Sequence, residues 1–137
     1  MAQKIEFTKM HGAGNDYVYI DTMRFPIANP EKLAIAWSDR HKGIGGDGII
    51  LIGKNESGHF TMRIFNNDGS EGKMCGNGIR CVGKYLYDNG ITSEKELPID
   101  TLSGTKLLHM TTDADNKVVE VTVDLSLIHI SEPTRPY

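Results

Sequence analysis

Apolar residues alternate with polar ones, or form short apolar runs, along most of the chain. This pattern predicts a series of short strands. The predicted strands cover residues 5–10, 17–20, 49–52, 59–66, 97–102, 106–111 and 117–123. Residues typical of turns separate them, for example at 55–58 and 113–116.

Two segments instead carry apolar residues at the spacing of an amphipathic helix. Asn29-Pro30 suits an N-cap followed by the first helical residue, and Asn89-Gly90 predicts the end of the second helix. The apolar positions are Leu33, Ala34 and Trp37 in the first helix and Ile79, Val82, Tyr85 and Leu86 in the second. Many short strands with two helices predict an α+β domain and not a repeated β-α-β fold.

Length and composition fit one globular domain, with 137 residues, 39% of them hydrophobic and 24% charged. The net charge of −3 and the lack of a basic run argue against nucleic acid and anionic membranes as partners. The N-terminal residues lack the apolar core of a signal peptide, and no apolar stretch is long enough to span a membrane. A cytoplasmic location is therefore expected.

The chain has two cysteines, Cys75 and Cys81. On one helix they would be separated by roughly 9 Å of rise and about 240° of rotation. Since a disulfide needs Cα atoms within about 7 Å, both are expected to be free thiols. Cys81 lies well inside the predicted helix and is expected to be a small buried hydrophobe.

Cys75 is the candidate reactive thiol because it lies where a polar loop enters the second helix. A helix N-terminus offers free N–H groups and partial positive charge, which favour a thiolate. Gly76 and Gly78 leave the first turn open, so that a substrate carboxylate could approach its N–H groups, and Asn77 adds an amide. Spacing alone leaves open that Cys75 is an inert buried thiol. Asp68 is expected to be solvated, although a carboxylate there could orient the loop.

Gly43, Gly45 and Gly48 formally match the dinucleotide-binding pattern G-x-G-x-x-G. That fingerprint requires a strand before it and a helix after it, and the predicted order here is the reverse. These glycines are therefore interpreted as a tight loop. Neither the histidine spacing nor the cysteine spacing matches a metal site, so no metal is expected.

Three parts of the chain together resemble the diaminopimelate epimerase family. Residues 66–70 and 75–80 match the family's active-site signature without a gap, residues 7–16 resemble its N-terminal strand and loop, and residues 43–48 resemble its second loop. The resemblance implies an α+β fold in which a mixed or antiparallel sheet curls around a central helix.

The resemblance also implies a cofactor-independent enzyme that converts LL-diaminopimelate to meso-diaminopimelate for lysine and peptidoglycan synthesis. One thiolate removes the α-proton and a thiol on the opposite face returns one, so each needs a pKa near the working pH. By the family motif, Cys75 is one of the pair, and Asn15, Asn66, Gly76 and Asn77 contact the carboxylate or ammonium groups of the amino-acid substrate. A homodimer is one open option for the full-length protein.

The resemblance ends after Asp124, where the family continues toward a second domain with the second catalytic cysteine. Residues 1–124 are therefore assigned to the N-terminal epimerase domain. Residues 125–137 read as the translation of a transposase-adapter sequence used in library preparation, although they could also be a native strand with a disordered end. On the first interpretation the second catalytic domain is absent, and the chain is expected to be inactive alone.

Two other functions stay open at this stage. One is a related isomerase of the same fold, of the proline racemase type or the phenazine-biosynthesis type. The phenazine type lacks the thiol pair, and Asn15 with Asn66 favours diaminopimelate over proline. The other is a non-catalytic binding half-domain, which an ordinary or raised pKa of Cys75 would support.

Overall fold

The computed structural model describes residues 7–12, 15–41, 43–73 and 76–124, which form an eight-stranded sheet and two helices. The strands are β1 (Thr8–Gly12), β2 (Asn15–Asp21), β3 (Gly48–Lys54), β4 (Phe60–Asn66), β5 (Glu71–Gly72), β6 (Glu96–Thr101), β7 (Gly104–Thr112) and β8 (Val118–Asp124). The helices are α1 (Pro30–Ser38) and α2 (Gly76–Asp88). The predicted strand over 5–10 lies partly outside the described residues.

The sheet is mixed and follows the order β1-β2-β3-β4-β6-β7-β8, with β5 paired to β4. The pairs β2–β3 and β4–β6 are parallel, and the other pairs are antiparallel. Each helix connects one parallel pair. One crossover runs from β2 through α1 to β3, and the other from β4 through α2 to β6. Because β3 and β4 are antiparallel, the two crossovers start from strands of opposite direction. Right-handed crossovers of opposite direction place their helices on opposite faces of the sheet.

The two faces of the sheet form two cores. Along β3, Ile49 and Leu51 belong to the core under α1, whereas Ile50 and Ile52 belong to the core under α2. Side chains from β2, β4, β6, β7 and β8 complete the core under α2. Helix α2 contacts β1 and β2 at one side of the sheet and β7 and β8 at the other. The sheet therefore curls around α2, which confirms the predicted fold class.

The ends of both helices follow local sequence signals. Asn29 Oδ1 accepts a hydrogen bond from the Lys32 N–H at 3.2 Å, and Pro30 is the first residue of α1. After α2, Gly90 has a φ of 72°, and its N–H donates to the Tyr87 carbonyl at 3.0 Å. Both predicted helix boundaries are confirmed.

Most strand ends differ from the prediction by one or two residues, and two of the differences have a clear physical reason. Strand β5 was not predicted, because two residues cannot show an alternating pattern; it pairs with Ile64 and Phe65 of β4. The strand predicted over 97–102 ends one residue earlier, since Leu102 lies in the tight turn between β6 and β7 and is 60% exposed. Among the described residues, no helix has the length and apolar content needed to cross a membrane.

Candidate functional site

Three strand ends meet at one end of the sheet. Gly48, the first residue of β3, lies opposite Tyr17 of β2 and opposite Asn66, the last residue of β4. Since β2 is parallel to β3 and β4 is antiparallel to it, Asn15 at the start of β2 falls at this same end. The structure thus places the backbone of Asn15 and of Asn66 at the same end of the sheet, on strands separated by β3. The side chain of Asn15 is outside the described part, and the predicted substrate contacts stay a prediction.

A hydrogen-bonded turn fixes the side chain of Asn66. Its Nδ2 donates to the Ser70 hydroxyl at 3.2 Å, and its main-chain N–H donates to the Ser70 carbonyl at 2.8 Å. The Ser70 hydroxyl and N–H both donate to Asp68 Oδ1, at 2.6 and 2.9 Å. These bonds lower the pKa of Asp68 below its ordinary value of 3.8, so the carboxylate stays ionised and holds the turn. Asp68 is exposed, as the favoured prediction has it, and it also has the loop-orienting role, which was the less favoured one.

The start of α2 is linked to this turn through β5. Gly72 lies next to Asn66, since a Cβ added to Gly72 would be 3.7 Å from Asn66 Nδ2. Four residues later the chain enters α2 at Gly76. Cys75, predicted as the catalytic thiol, lies outside the described residues, as do the side chains at positions 76 and 77. The backbone of α2 begins immediately after position 75, where a helix N-terminus was predicted.

Cys81 is a free thiol that packs against the core under α2, but it is only partly buried. Cys81 thus packs against the core as a small hydrophobe would, but it is less buried than predicted. Position 81 lies on the flank of α2, between the buried residues Ile79 and Val82 and the exposed Arg80.

In the glycine loop between α1 and β3, main-chain N–H groups donate hydrogen bonds to carbonyl groups at the end of α1. The N–H groups of Ile44 and Gly45 both donate to the Trp37 carbonyl at 2.9 Å, and that of Gly46 donates to the Ser38 carbonyl at 3.2 Å. These donors are not directed at a ligand, and the loop follows a helix and precedes a strand. The loop therefore caps the C-terminus of α1 and leads into β3, and it does not form a phosphate-binding loop.

An acidic pair that the sequence pattern did not indicate joins this loop to β2. The Asp16 N–H donates to Asp47 Oδ2 at 2.8 Å, and the Asp47 N–H donates to the Asp16 carbonyl at 2.6 Å. Arg40 lies 3.6 Å from Asp16 Oδ2 and 3.7 Å from Asp47 Oδ1. This cluster holds the start of β2, and hence Asn15, against the start of β3. The only indication of this cluster in the sequence was one aspartate in each of the segments 7–16 and 43–48, which resemble loops of the family.

Gly48 lies where the start of β3 meets the end of β4. A Cβ at this position would clash with the Phe65 carbonyl oxygen and lie 3.0 Å from the Cα of Asn66. Glycine therefore lets β3 approach the end of β4 closely, and it offers no side chain to a substrate. Within the described ranges, no group of three His, Cys, Asp or Glu side chains is arranged to hold a metal ion.

Comparison with known proteins gives a family match over most of the chain. The family model described as "Diaminopimelate epimerase" matches residues 7–126. The diaminopimelate epimerase of Bacteroides thetaiotaomicron is 61% identical over 125 residues, which are 91% of this chain and 46% of that protein. That of Parabacteroides distasonis is 52% identical over 132 residues, covering 96% of this chain and 49% of the relative. The chain spans about half the length of the curated relatives it matches.

Solved structures with low sequence identity share the fold. A methylitaconate-delta-isomerase aligns with a TM-score of 0.65 at 14% identity, covering 82% of this chain and 36% of that one. A hydroxyproline epimerase from Agrobacterium vitis aligns with a TM-score of 0.62 at 16% identity, over 85% of this chain and 40% of the other. A phenazine-biosynthesis protein of the PhzF family from Bacillus anthracis gives 0.59 at 19%, over 87% and 38%. These likenesses establish the architecture alone.

Proposed function

Because the chain belongs to the diaminopimelate epimerase family, we propose that it forms one half of an enzyme that interconverts LL- and meso-diaminopimelate. The observation that carries the proposal is the match of the family model to residues 7–126. That range contains Asn66 and Cys75, each of which is the first residue of one of the two stretches that resemble the active-site signature. The product serves lysine and peptidoglycan synthesis. A cytoplasmic location stays a prediction.

The proposed chemistry moves one proton on each face of the α-carbon. The thiolate of Cys75 accepts the α-proton, so the C–H bond breaks, an S–H bond forms, and the electron pair is delocalised into the substrate carboxylate. A second thiol then donates its proton to the opposite face, which inverts the centre and leaves that sulfur as the new thiolate. Two facing bases suit a reaction whose substrate and product are mirror images at one carbon. Each thiol must have a pKa near the working pH to act in both directions.

The start of α2 supplies the electrostatic part of this proposal. Negative charge builds on the substrate carboxylate as the α-proton leaves, and the unpaired N–H groups of a helix N-terminus stabilise such charge. Gly76 and Asn77 are the first residues of α2 and would offer these donors. Asn66, held by the Ser70 turn, and Asn15, at the same end of the sheet, would contact the remaining polar groups of the substrate.

The second thiol is proposed to come from a second domain outside this chain. The relatives support this division, because the aligned region covers only 46% of the Bacteroides protein and 49% of the Parabacteroides protein. On this view residues 1–124 are the first domain, residues 125–137 are a non-native tail, and the full-length enzyme could form a homodimer.

The test uses the full-length gene product with LL-diaminopimelate in D2O, following α-proton exchange and formation of the meso isomer by proton NMR. Cys75→Ala should lower both rates by at least about 100-fold, because it removes one general base. Cys81→Ala is the matched control and should keep both rates, since Cys81 packs against the core. Residues 1–137 alone should show no exchange. Unchanged rates in Cys75→Ala would disprove the thiol mechanism.

A second measurement separates catalysis from a purely binding role. The rate of iodoacetamide alkylation of Cys75 is followed against pH in the Cys81→Ala variant of residues 1–137, in which Cys75 is the one cysteine left. A Cys75 pKa below the ordinary value of about 8.5 supports the epimerase, because only a stabilised thiolate reacts at low pH. An ordinary or raised pKa supports the non-catalytic half-domain instead.

A further inference from the structure

Asp47 lies between the two asparagines that are proposed to contact the substrate. It comes just before β3, the strand that separates β2 from β4 in the sheet. Asn15 is the first residue of β2, and Asn66 is the last residue of β4. Asp47 makes hydrogen bonds to the chain next to each of them. It is therefore placed to set the position of one asparagine relative to the other.

The side chain of Asp47 fixes the peptide group that follows Asn15. Asp47 Oδ2 accepts a hydrogen bond at 2.8 Å from the main-chain N–H of Asp16. The Asp47 N–H in turn donates to the Asp16 carbonyl at 2.6 Å. Because a peptide group is planar, the Asp16 N–H and the Asn15 carbonyl rotate together, and a bond that holds one also holds the other. One carboxylate oxygen thus sets the direction in which the chain leaves Asn15.

The main chain of Asp47 fixes the peptide group that follows Asn66. The Asp47 carbonyl accepts a hydrogen bond at 3.0 Å from the Asn67 N–H, which shares a peptide plane with the Asn66 carbonyl. The side chain of Asn66 is held separately, since its Nδ2 donates to the Ser70 hydroxyl at 3.2 Å. Asp47 therefore holds the backbone beside both asparagines, with its side chain on one side and its main chain on the other.

Among these contacts, only the bond from the Asp16 N–H depends on the identity of the side chain at position 47. Any residue there has a main-chain carbonyl, whereas Oδ2 requires a side chain of the aspartate or asparagine type. The other carboxylate oxygen, Oδ1, lies 3.7 Å from an Arg40 side chain that is 59% exposed. An ion pair with this distance and exposure contributes little. The hydrogen bond to Asp16 is therefore the contact through which the Asp47 side chain acts.

We propose that Asp47 is a positioning residue for the epimerase reaction, an inference that rests on the proposed function. Its carboxylate aligns Asn15, and its main-chain carbonyl aligns Asn66, so that both can contact one substrate molecule. Proton transfer needs the α-carbon within reach of a thiol, and a small misplacement of the substrate lowers the rate strongly. Loss of the Asp47 carboxylate therefore lowers kcat/KM through Asn15, although Asp47 touches no reacting atom.

The kinetic test follows formation of the meso isomer from LL-diaminopimelate by the full-length gene product. Asp47→Ala should lower kcat/KM at least about tenfold, because the substrate is misplaced. Asp47→Asn keeps an oxygen for the Asp16 N–H and loses only the charge near Arg40, so kcat/KM should stay within about threefold of the wild type. In an Asn15→Ala background, Asp47→Ala should cost less than about threefold, since residues that act through one contact are not additive. Equal losses in both backgrounds, or a wild-type kcat/KM in Asp47→Ala, would overturn the proposal.

Asp88→Ala is the matched control for a loss of stability. Asp88 is also a carboxylate that accepts a hydrogen bond from a main-chain N–H, that of Val118 at 2.9 Å. It is the last of the 13 residues of α2, which places it about 20 Å from Gly76. At a temperature where circular dichroism shows both variants to be folded, Asp88→Ala should keep kcat/KM within about twofold of the wild type. A loss as large as that of Asp47→Ala would mean that stability, and not positioning, explains both variants.

Amide hydrogen exchange, followed by NMR in the ¹⁵N-labelled full-length gene product, tests the contact without the reaction. Asp47→Ala should speed exchange of the Asp16 N–H at least about tenfold. The Thr22 N–H, bonded to the Ile52 carbonyl at the other end of β2, should change less than about twofold. Gly46→Ala is the second variant if Asp47→Ala does not fold; its Cβ would lie 2.8 Å from the Asp16 carbonyl oxygen and should also speed exchange at Asp16.

The two measurements separate this inference from the proposed function. Unchanged exchange of the Asp16 N–H in both Asp47→Ala and Gly46→Ala would overturn the positioning role, even if the wild type forms the meso isomer. Faster exchange at Asp16 in a protein whose wild type forms no meso isomer would instead overturn the proposed function and support the contact between Asp47 and the start of β2.

Discussion

Asp88, the last residue of α2, accepts a hydrogen bond at 2.9 Å from the main-chain N–H of Val118, the first residue of β8. Lys84 strengthens the junction, because its Nζ donates to Asp88 Oδ2 at 2.7 Å and to the Val118 carbonyl at 2.8 Å. The Tyr87 hydroxyl donates to Asn116 Oδ1 at 2.8 Å in the turn just before β8. The end of the central helix is thus tied to the last strand of the curled sheet.

Removal of the Asp88 carboxylate should destabilise the fold. Asp88→Ala leaves the N–H of Val118, a residue that is 4% exposed, without its acceptor. The expected loss is about 1–3 kcal/mol in the free energy of unfolding, measured by urea denaturation followed by circular dichroism. Asp115→Ala, in the neighbouring exposed turn, should stay within about 0.5 kcal/mol of the wild type. Equal stability of the two variants would contradict the structural role of Asp88.

Acid should weaken the fold through Asp100. Burial acts to raise the pKa of Asp100, but hydrogen bonds from Thr105, His59 and Asn55 outweigh it and lower the pKa below 3.8. A carboxyl group with a lower pKa in the folded state contributes stability that is complete above the unfolded value and is lost as the pH falls through the folded one. We therefore expect the loss of this contribution below pH 3.8. Asp100→Asn should be less stable than the wild type at pH 7, and the difference should shrink at pH 3.

Local signals explain which parts of the fold were predictable. Asn29-Pro30 and Gly90 define helix ends through contacts within one turn, so the sequence predicts them directly. β5 has only two residues and no pattern of its own; its pairing to Ile64 and Phe65 depends on the turn before it.

The candidate site depended more on tertiary contacts. Resemblance indicated Asn15 and Asn66 as substrate contacts, but their meeting at one sheet end follows from the register of β2, β3 and β4. The cluster of Asp16, Asp47 and Arg40 joins residues up to 31 positions apart, and no periodicity connects them.

Gly43 should tolerate no side chain. A Cβ there would clash with the Ala36 carbonyl oxygen and lie 2.8 Å from that of Trp37, and backbone atoms at the end of α1 cannot move aside easily. Gly43→Ala should lower the free energy of unfolding by about 1–3 kcal/mol in urea denaturation. Gly72→Ala is the matched control, since the nearest atom to its Cβ would be 3.7 Å away. A Gly43→Ala protein as stable as the Gly72→Ala protein would show that the loop can move away from α1.

Lys106 should destabilise the fold while it is charged. The residue is 3% exposed on the core-facing side of β7, and its Nζ donates to the Ser103 carbonyl at 3.3 Å. Burial lowers the pKa of Lys106 below 10.5. Between the folded and unfolded pKa values the unfolded chain binds more protons, so the stability should rise with pH up to about 10.5.

Lys106→Met replaces the buried ammonium with an apolar chain of similar length. It should therefore be more stable than the wild type at pH 7, and its advantage should decrease at pH 10, where the wild-type lysine is neutral more of the time. Urea midpoints at the two pH values measure this difference. Lys95→Met, at an exposed position before β6, is the control and should show no such pH-dependent advantage. A Lys106→Met protein that is less stable than the wild type at pH 7 would mean that the buried ammonium has a stabilising partner.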